Sequence, residues 1–254
     1  MDYINVKEVI MKKAQGFVAG TLVHTDKGLV PIEQIKVGDM VLSKPESGEG
    51  ELTYKPVVNT FEFEDKEVWF VKINNSSCYD EEKIYSGEIK YHNEHIIGTP
   101  DHPFWIIGKL DRSRGSSNAK IKLYPKAYWS RLDELTIDTI VLLANGIMSV
   151  VESIQPVSVM VNPQYGFIQG YKQYQWWTED SGSYIDFSEH TPILHNQKYN
   201  TLFNEEVRFY PNDSEWDFPT KKRKVYNFEV ADYHTYFVGE GGIWVHHANG
   251  YLTQ

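Results

Sequence analysis

Short apolar runs separated by polar, glycine-bearing turns recur along most of the chain, and hardly any show helical spacing. The run at 17–24 reads as a strand, the segment Thr25-Asp26-Lys27-Gly28 as a tight turn, and Leu29 and Val30 as its pairing return. Pro31 opens a single helical turn that runs to Ile35. A turn at 37–39 leads into a strand at 40–43, and the polar stretch 44–51 reads as a loop. Strand-like runs follow at 54–63, 68–73 and 89–97, with a polar loop at 74–87. The third run ends at Gly98-Thr99-Pro100-Asp101-His102-Pro103, where two prolines oppose regular structure and stiffen the backbone. Residues 104–107 form the next strand, and the basic, serine-bearing stretch 108–120 reads as a surface loop. Near the C-terminus lie strands at 225–230, 235–238 and 243–245. Three glycines within Gly239-Glu240-Gly241-Gly242 tolerate positive φ and predict a hairpin between the last two. Helical spacing appears only at the start, where Val6, Val9 and Ile10 share a face that ends at Lys13, giving a short helix or a loose tail.

The apolar pattern also repeats. Residues 32–42 match 132–142 at most apolar positions and at an acidic one near the start. A fainter match sets 68–73, with His95 beyond it, against 225–230, with His234 beyond it. Two repeats in the same order predict an all-β fold of two halves related by an approximate two-fold. Between the second half's repeats lies an insertion, about 145–220, strand-like at 149–161 and aromatic-rich at 165–177. Its aromatics, if exposed, would mark a surface for a protein partner; the plainer reading is extra strands packed on the main sheet.

Composition narrows the function classes. With 254 residues, 41% hydrophobic and 24% charged, the chain can bury a sizeable core. A formal net charge of −10 argues against a nucleic-acid partner, and Lys221-Lys222-Arg223-Lys224 reads as a solvated edge. One cysteine, Cys78, excludes an internal disulfide framework and a multi-cysteine zinc site. The first fifteen residues lack a long apolar run, so neither a signal peptide nor a membrane span is expected there, and the chain reads as soluble with no membrane partner. There is no phosphate-cradling G-x-x-x-x-G-K loop. The pairs His92/His95 and His190/His195 have odd offsets, which on a strand put the two rings on opposite faces. No cofactor and no metal are expected.

Three segments carry a resemblance: FVAGTLVHTDKGLVPIEQIKVGDMVLS at 17–43, GTPDHPFWI at 98–106 and VYNFEVADYHTYFVGEGGIWVH at 225–246. Together they resemble the HINT superfamily, and most nearly the pretoxin HINT domains of bacterial polymorphic toxins, relatives of inteins and of Hedgehog autoprocessing domains. The resemblance implies a horseshoe-like all-β fold of two pseudo-symmetric halves, spanning 16–250 between an N-terminal extension, 1–15, and a tail, 251–254. It implies autoproteolysis or splicing in cis, with the chain's own flanking polypeptide as partner: an upstream delivery region and a downstream toxin of a secreted or cell-surface protein. A HINT scaffold that acts without catalysis, through its insertion, is the alternative.

The same resemblance assigns positions. The family's nucleophilic cysteine falls at Gly16, which has no reactive atom, whether by nature or by design. Thr99 and His102 match the TxxH motif that polarises the scissile amide and protonates its leaving nitrogen. His234 falls where relatives keep a histidine that assists the C-terminal step. His246 matches the histidine before the cyclising asparagine, but the next residue is His247, and the nearest asparagine is Asn249, followed by Gly250. The C-terminal asparagine is therefore either displaced to Asn249 or absent. An Asn-Gly bond is itself prone to succinimide formation because glycine offers no side-chain obstruction.

Overall fold

The computed structural model describes residues 15–79, 81–113, 115, 119–160, 162–169, 182–189, 191–195 and 219–247. The helical spacing at Val6, Val9 and Ile10, together with Asn249 and Gly250, lies outside the described residues.

The chain is built almost wholly of strands: β1 (Leu22–Thr25), β2 (Gly28–Pro31), β3 (Met40–Ser43), β4 (Thr53–Glu67), β5 (Trp69–Asn74), β6 (Asn93–Gly98), β7 (Pro103–Asp111), β8 (Lys120–Arg131), β9 (Thr139–Leu142) and β10 (Met148–Pro156). They continue with β11 (Ser158–Val159), β12 (Tyr165–Gln169), β13 (Gly182–Asp186), β14 (Ile193–His195), β15 (Lys222–Val230), β16 (Thr235–Val238) and β17 (Ile243–His246). A short helix, α1 (Glu81–Tyr85), interrupts the polar loop after β5. Among the described residues no helix is long and apolar enough to cross a membrane.

The main sheet runs β15-β4-β3-β1-β16-β17-β7-β9-β10-β5-β6, with β2 on β1 and β8 on β7. This order is approximately symmetric about the β16–β17 hairpin, with β6 added at one end. On one side β1 pairs with β2 and β3, and on the other β7 pairs with β8 and β9. At the far ends β4 pairs with β15 and β10 with β5, so each half receives a strand from the other half of the sequence. The repeat of 68–73 in 225–230 is the sequence trace of that exchange.

The stronger repeat is reproduced bond by bond. Ile32–Gln34 and Leu132–Glu134 each form a 3-10 turn, closed by Ile35 N–H on Ile32 O and by Leu135 N–H on Leu132 O. Three residues on, Gly38 has φ 94° and Asp138 φ 72°. Their N–H groups donate to Val57 O at 2.8 Å and Val151 O at 2.9 Å. A left-handed backbone suits glycine; aspartate is among the few other residues that tolerate it. Asp138 is held there by Arg112, whose Nε lies 2.7 Å from Oδ1.

Three elements depart from the sequence expectation. The stretch 108–120 is not a surface loop along its length: β7 runs to Asp111 and β8 starts at Lys120, with Leu110 opposite Ile121. Leu110 is buried against Ile140 and Val150, while the lysines that make the stretch look loop-like point outward. β8 pairs only with β7, and such an edge position accommodates Pro125. The run at 89–97 starts late, at Asn93, because Asn75 binds the preceding backbone through Lys90 O and His92 N–H. The strand expected at 17–24 begins at Leu22; before it Phe17 makes two isolated bridges, to Tyr226 and Gly98, and the chain turns at Gly20 (φ 81°).

Within the segment 145–220, β10 belongs to the main sheet, while β11-β12-β13-β14 form a separate sheet. That sheet lies on the main one through Ile168, Ile185 and Phe187, which meet Val18, Val68, Phe70, Ile97 and Val225. The aromatics Phe167 and Phe187 are buried rather than displayed. The rest of the aromatic run, from Tyr171 to Trp177, lies outside the described residues.

A carboxylate anchors the central hairpin. Glu94 on β6 accepts from Glu240 N–H at 2.7 Å and Gly241 N–H at 3.3 Å, and it pairs with His92 Nε2 at 2.7 Å. A Cβ at Gly239 or Gly241 would collide with this pair. Glu94→Ala removes both bonds from the turn that orients the β16–β17 hairpin. It is expected to cost about 0.5–1.5 kcal/mol in urea unfolding; an unchanged midpoint would show that the turn stands without its anchor.

Candidate functional site

The site has two corners, both supported by the central hairpin. The first is where residues 15–18 thread between β15 and β6. Phe17 N–H donates to Tyr226 O at 3.0 Å and Tyr226 N–H returns to Phe17 O at 2.8 Å, while Val18 N–H reaches Ile97 O at 3.1 Å. Just before this clamp, Thr99 holds Gly16 from both sides. Gly16 N–H donates to Thr99 Oγ1 at 3.2 Å, and Thr99 N–H donates to Gly16 O at 2.9 Å. The nitrogen of the Gln15–Gly16 bond therefore points at a hydroxyl. Gln15 is itself buried and fixed by its Nε2 on Asp101 O at 2.7 Å.

His102 closes this corner. The stiff turn from Thr99 brings His102 N–H to Thr99 O at 3.2 Å, and His102 O accepts from Leu132 N–H at 2.9 Å, which docks the turn on the second half's 3-10 turn. The imidazole is fully buried, with the Phe17 ring edge-on at 4.2 Å between centroids. Its Nε2 lies 3.5 Å from Tyr236 Oη, whose proton goes to Asn227 Oδ1 at 2.8 Å. Because that hydroxyl spends its proton on Asn227, a hydrogen bond between it and His102 would be donated by Nε2 and would leave Nδ1 a lone pair. Among the described residues Nδ1 has no hydrogen-bond partner, and neither has the nearby Gln15 Oε1. Burial, and then the neighbouring His246 and His247, push the His102 pKa well down, so the ring is neutral at physiological pH. Unpaired buried polar atoms cost stability and call for an explanation in chemistry or binding.

The second corner gathers at the end of β17. His246 is buried, with Nε2 2.8 Å from Glu46 Oε2 and its ring 5.1 Å from Trp129. Burial lowers its pKa, and the Glu46 carboxylate opposes that shift only in part. His247 is buried beside it; its N–H donates to His234 O at 3.0 Å and the two rings stand 5.1 Å apart. His234 reaches this position through a left-handed backbone, φ 57°, two residues after Asp232 at φ 64°. Lys55 Nζ, 2.8 Å from Asp232 Oδ2, steadies that turn. Strained non-glycine backbone of this kind persists where the surroundings over-determine it, and it clusters at functional sites.

The sequence pattern described as the pretoxin HINT domain matches residues 22–114 and 194–248, more than half of the chain. The chain belongs to the pretoxin HINT domain family. Among solved structures it is similar to a bacterial intein-like domain from Clostridium thermocellum, at 23% identity and TM-score 0.47, covering 91% of this chain and 97% of that one. It is also similar to a DnaB intein from Synechocystis sp. PCC 6803, at 13% identity and TM-score 0.44, covering 91% and 97%. Both are remote likenesses, and family membership rests on the sequence match. No curated protein matches the chain.

In this HINT domain the fold brings Gly16, Thr99 and His102 into one corner and His234 and His246 into the other, while Asn249 lies outside the described residues. The match skips 115–193, which holds β8, β9, β10 and, of the separate sheet, β11 to β13. Sequence reasoning passed over Tyr236, which joins Asn227 to His102 across the core, and Glu46, the partner of His246. Tyr236 sits in a four-residue strand that is buried throughout, where a tyrosine reads as core. Glu46 sits in a polar loop, and nothing local marks it.

Proposed function

We propose that this HINT domain is an autoprocessing unit that acts in cis, within a bacterial polymorphic toxin that is secreted or surface-displayed, to separate a downstream toxin from its delivery region. The single observation that carries this reading is the corner around the Gln15–Gly16 bond. Its nitrogen donates to Thr99 Oγ1 while a buried, neutral His102 with an unpaired Nδ1 packs on the next residue. In the family reaction a thiol at position 16 attacks the Gln15 carbonyl carbon. The C–N bond breaks, a thioester forms, and the leaving nitrogen takes a proton. Thr99 would orient that nitrogen and His102 would handle the proton. Gly16 supplies no thiol, so in this chain the N-terminal step does not run. The C-terminal step needs an asparagine whose side-chain nitrogen attacks its own carbonyl carbon. That closes a succinimide and releases the following amine. In our reading Asn249 fills this role, with His246 polarising the carbonyl and His234 assisting.

The test restores the nucleophile. A Cβ at position 16 would meet Tyr226 O at 2.5 Å, so Gly16→Cys must move backbone and is expected to lose about 1–3 kcal/mol of stability. With folded reporter domains fused at both ends and thiol added, the Gly16→Cys chain should break between 15 and 16, and His102→Ala in the same chain should abolish that break. A Gly16→Cys chain that melts cooperatively and stays whole would defeat the reading.

A further inference from the structure

The second corner holds more than the autoprocessing reading uses. Donor atoms of Glu229, His234 and His247 all lie within 4.8 Å of one another. The three come from separate places: Glu229 from β15, His234 from the turn before β16, and His247 from the residue after β17. His247 is buried and the other two are half-buried, so the cluster lies in a partly dry crevice and not on an open surface.

We propose that Glu229, His234 and His247 form a binding site for one divalent transition-metal ion of the zinc class, which staples the end of β17 to β15 and to the turn between β15 and β16. Two imidazoles and one carboxylate suit a borderline dication, and three protein ligands leave a fourth position for water. Tetrahedral coordination with bonds of about 2.0–2.1 Å places ligand atoms about 3.3 Å apart. The ligand atoms, up to 4.8 Å apart, must therefore draw together by as much as about 1.5 Å, through χ rotations of the three side chains. Two features prepare it. The left-handed backbone at His234 aims its ring toward His247, and the His247 N–H bond to His234 O, 3.0 Å, already fixes their spacing. Val230 N–H approaches His247 Nδ1 at 3.5 Å, the outer limit of a hydrogen bond. Coordination through Nε2 places the ring proton on Nδ1 and gives up that weak contact.

The inference does not depend on cleavage in cis. Its test titrates metal-free full chain with Zn2+ in a competition against a chromophoric chelator, and separately with Co2+, whose visible bands report tetrahedral coordination. One equivalent of Zn2+ should bind, Co2+ should give tetrahedral bands, and the melting temperature should rise with free Zn2+ because the ion binds the folded chain. Glu229→Gln, His234→Ala and His247→Asn should each weaken binding by at least about tenfold and remove the Zn2+-dependent rise in melting temperature. His95→Gln, away from the cluster, should change neither. Near-ultraviolet circular dichroism confirms that each variant is folded; the three substitutions are independent, so one failing to fold leaves two. Absence of a stoichiometric ion, or binding that survives His234→Ala and His247→Asn, overturns the proposal.

Discussion

Phe17→Ala is expected to lower the free energy of unfolding by about 3–5 kcal/mol, the cost of a fully buried phenylalanine that leaves a cavity behind. Phe17 has 0% of its surface exposed and meets His102, Phe104 and Tyr236 edge-on at 4.2, 6.3 and 6.5 Å between centroids. Those partners belong to the turn after β6, to β7 and to the central hairpin, so one ring holds three elements together. Its backbone also bridges Tyr226 of β15 and Gly98 at the end of β6. On one side the ring packs directly on backbone, since a Cβ at Gly98 would meet it at 2.7 Å. Guanidinium unfolding followed by tryptophan fluorescence measures the loss; Phe17→Leu should recover most of it. A loss below about 1 kcal/mol would mean that the N-terminal segment is an accessory to the core and not part of it.

Acid should unfold the domain early. His95, His102 and His246 all have pKa values lowered chiefly by burial. The unfolded chain binds protons at these histidines near the ordinary value of about 6.5, while the folded chain resists until lower pH. Stability is therefore complete above about pH 6.5 and falls as pH drops below it, by up to about 1.4 kcal/mol per pH unit for each histidine that stays neutral. His102 faces His246 and His247, whose charging would oppose its own, so its contribution extends to the lowest pH of the three. Glu46 beside His246 pulls the other way and narrows that residue's share. Asp186 and Asp232, whose pKa values are lowered by hydrogen bonds and by Lys55 respectively, act in a separate window below about pH 4. Melting temperature should be flat from about pH 8 to 7 and fall steeply from about 6.5 to 5. His102→Gln should flatten that slope. A melting temperature indifferent to pH across this range would show that the buried histidines charge freely.

Much of this architecture was legible in the sequence because its signals are local. The apolar match of 32–42 with 132–142 encodes the same 3-10 turn and left-handed residue twice, and three glycines at 239–242 announce the central hairpin. Thr99 and His102 stood out because they match the TxxH motif of the resemblance, on a turn that two prolines stiffen. What stayed hidden is pairing between distant segments. Lysines along 108–122 mask the alternation that makes β7 and β8 a long ladder. Tyr236 reads as core until its hydroxyl is seen between Asn227 and His102. No spacing rule links Glu229, His234 and His247, which meet only because an irregular turn returns the chain upon itself. The histidine pairs that do look like ligands, His92/His95 among them, are occupied otherwise: His92 braces Glu94 and His95 stacks on Phe70.

Under the proposed autoprocessing reading, Thr99 and His102 would polarise the Gln15–Gly16 bond, while Gly16 supplies no attacking atom. The most direct test is the intact mass of the unaltered chain, held for days at neutral pH with and without thiol. The account predicts that the bond between 15 and 16 stays whole under both conditions, and that any slow, thiol-independent break falls after Asn249. A fragment beginning at Gly16 would contradict it, because some other group would then be attacking the Gln15 carbonyl.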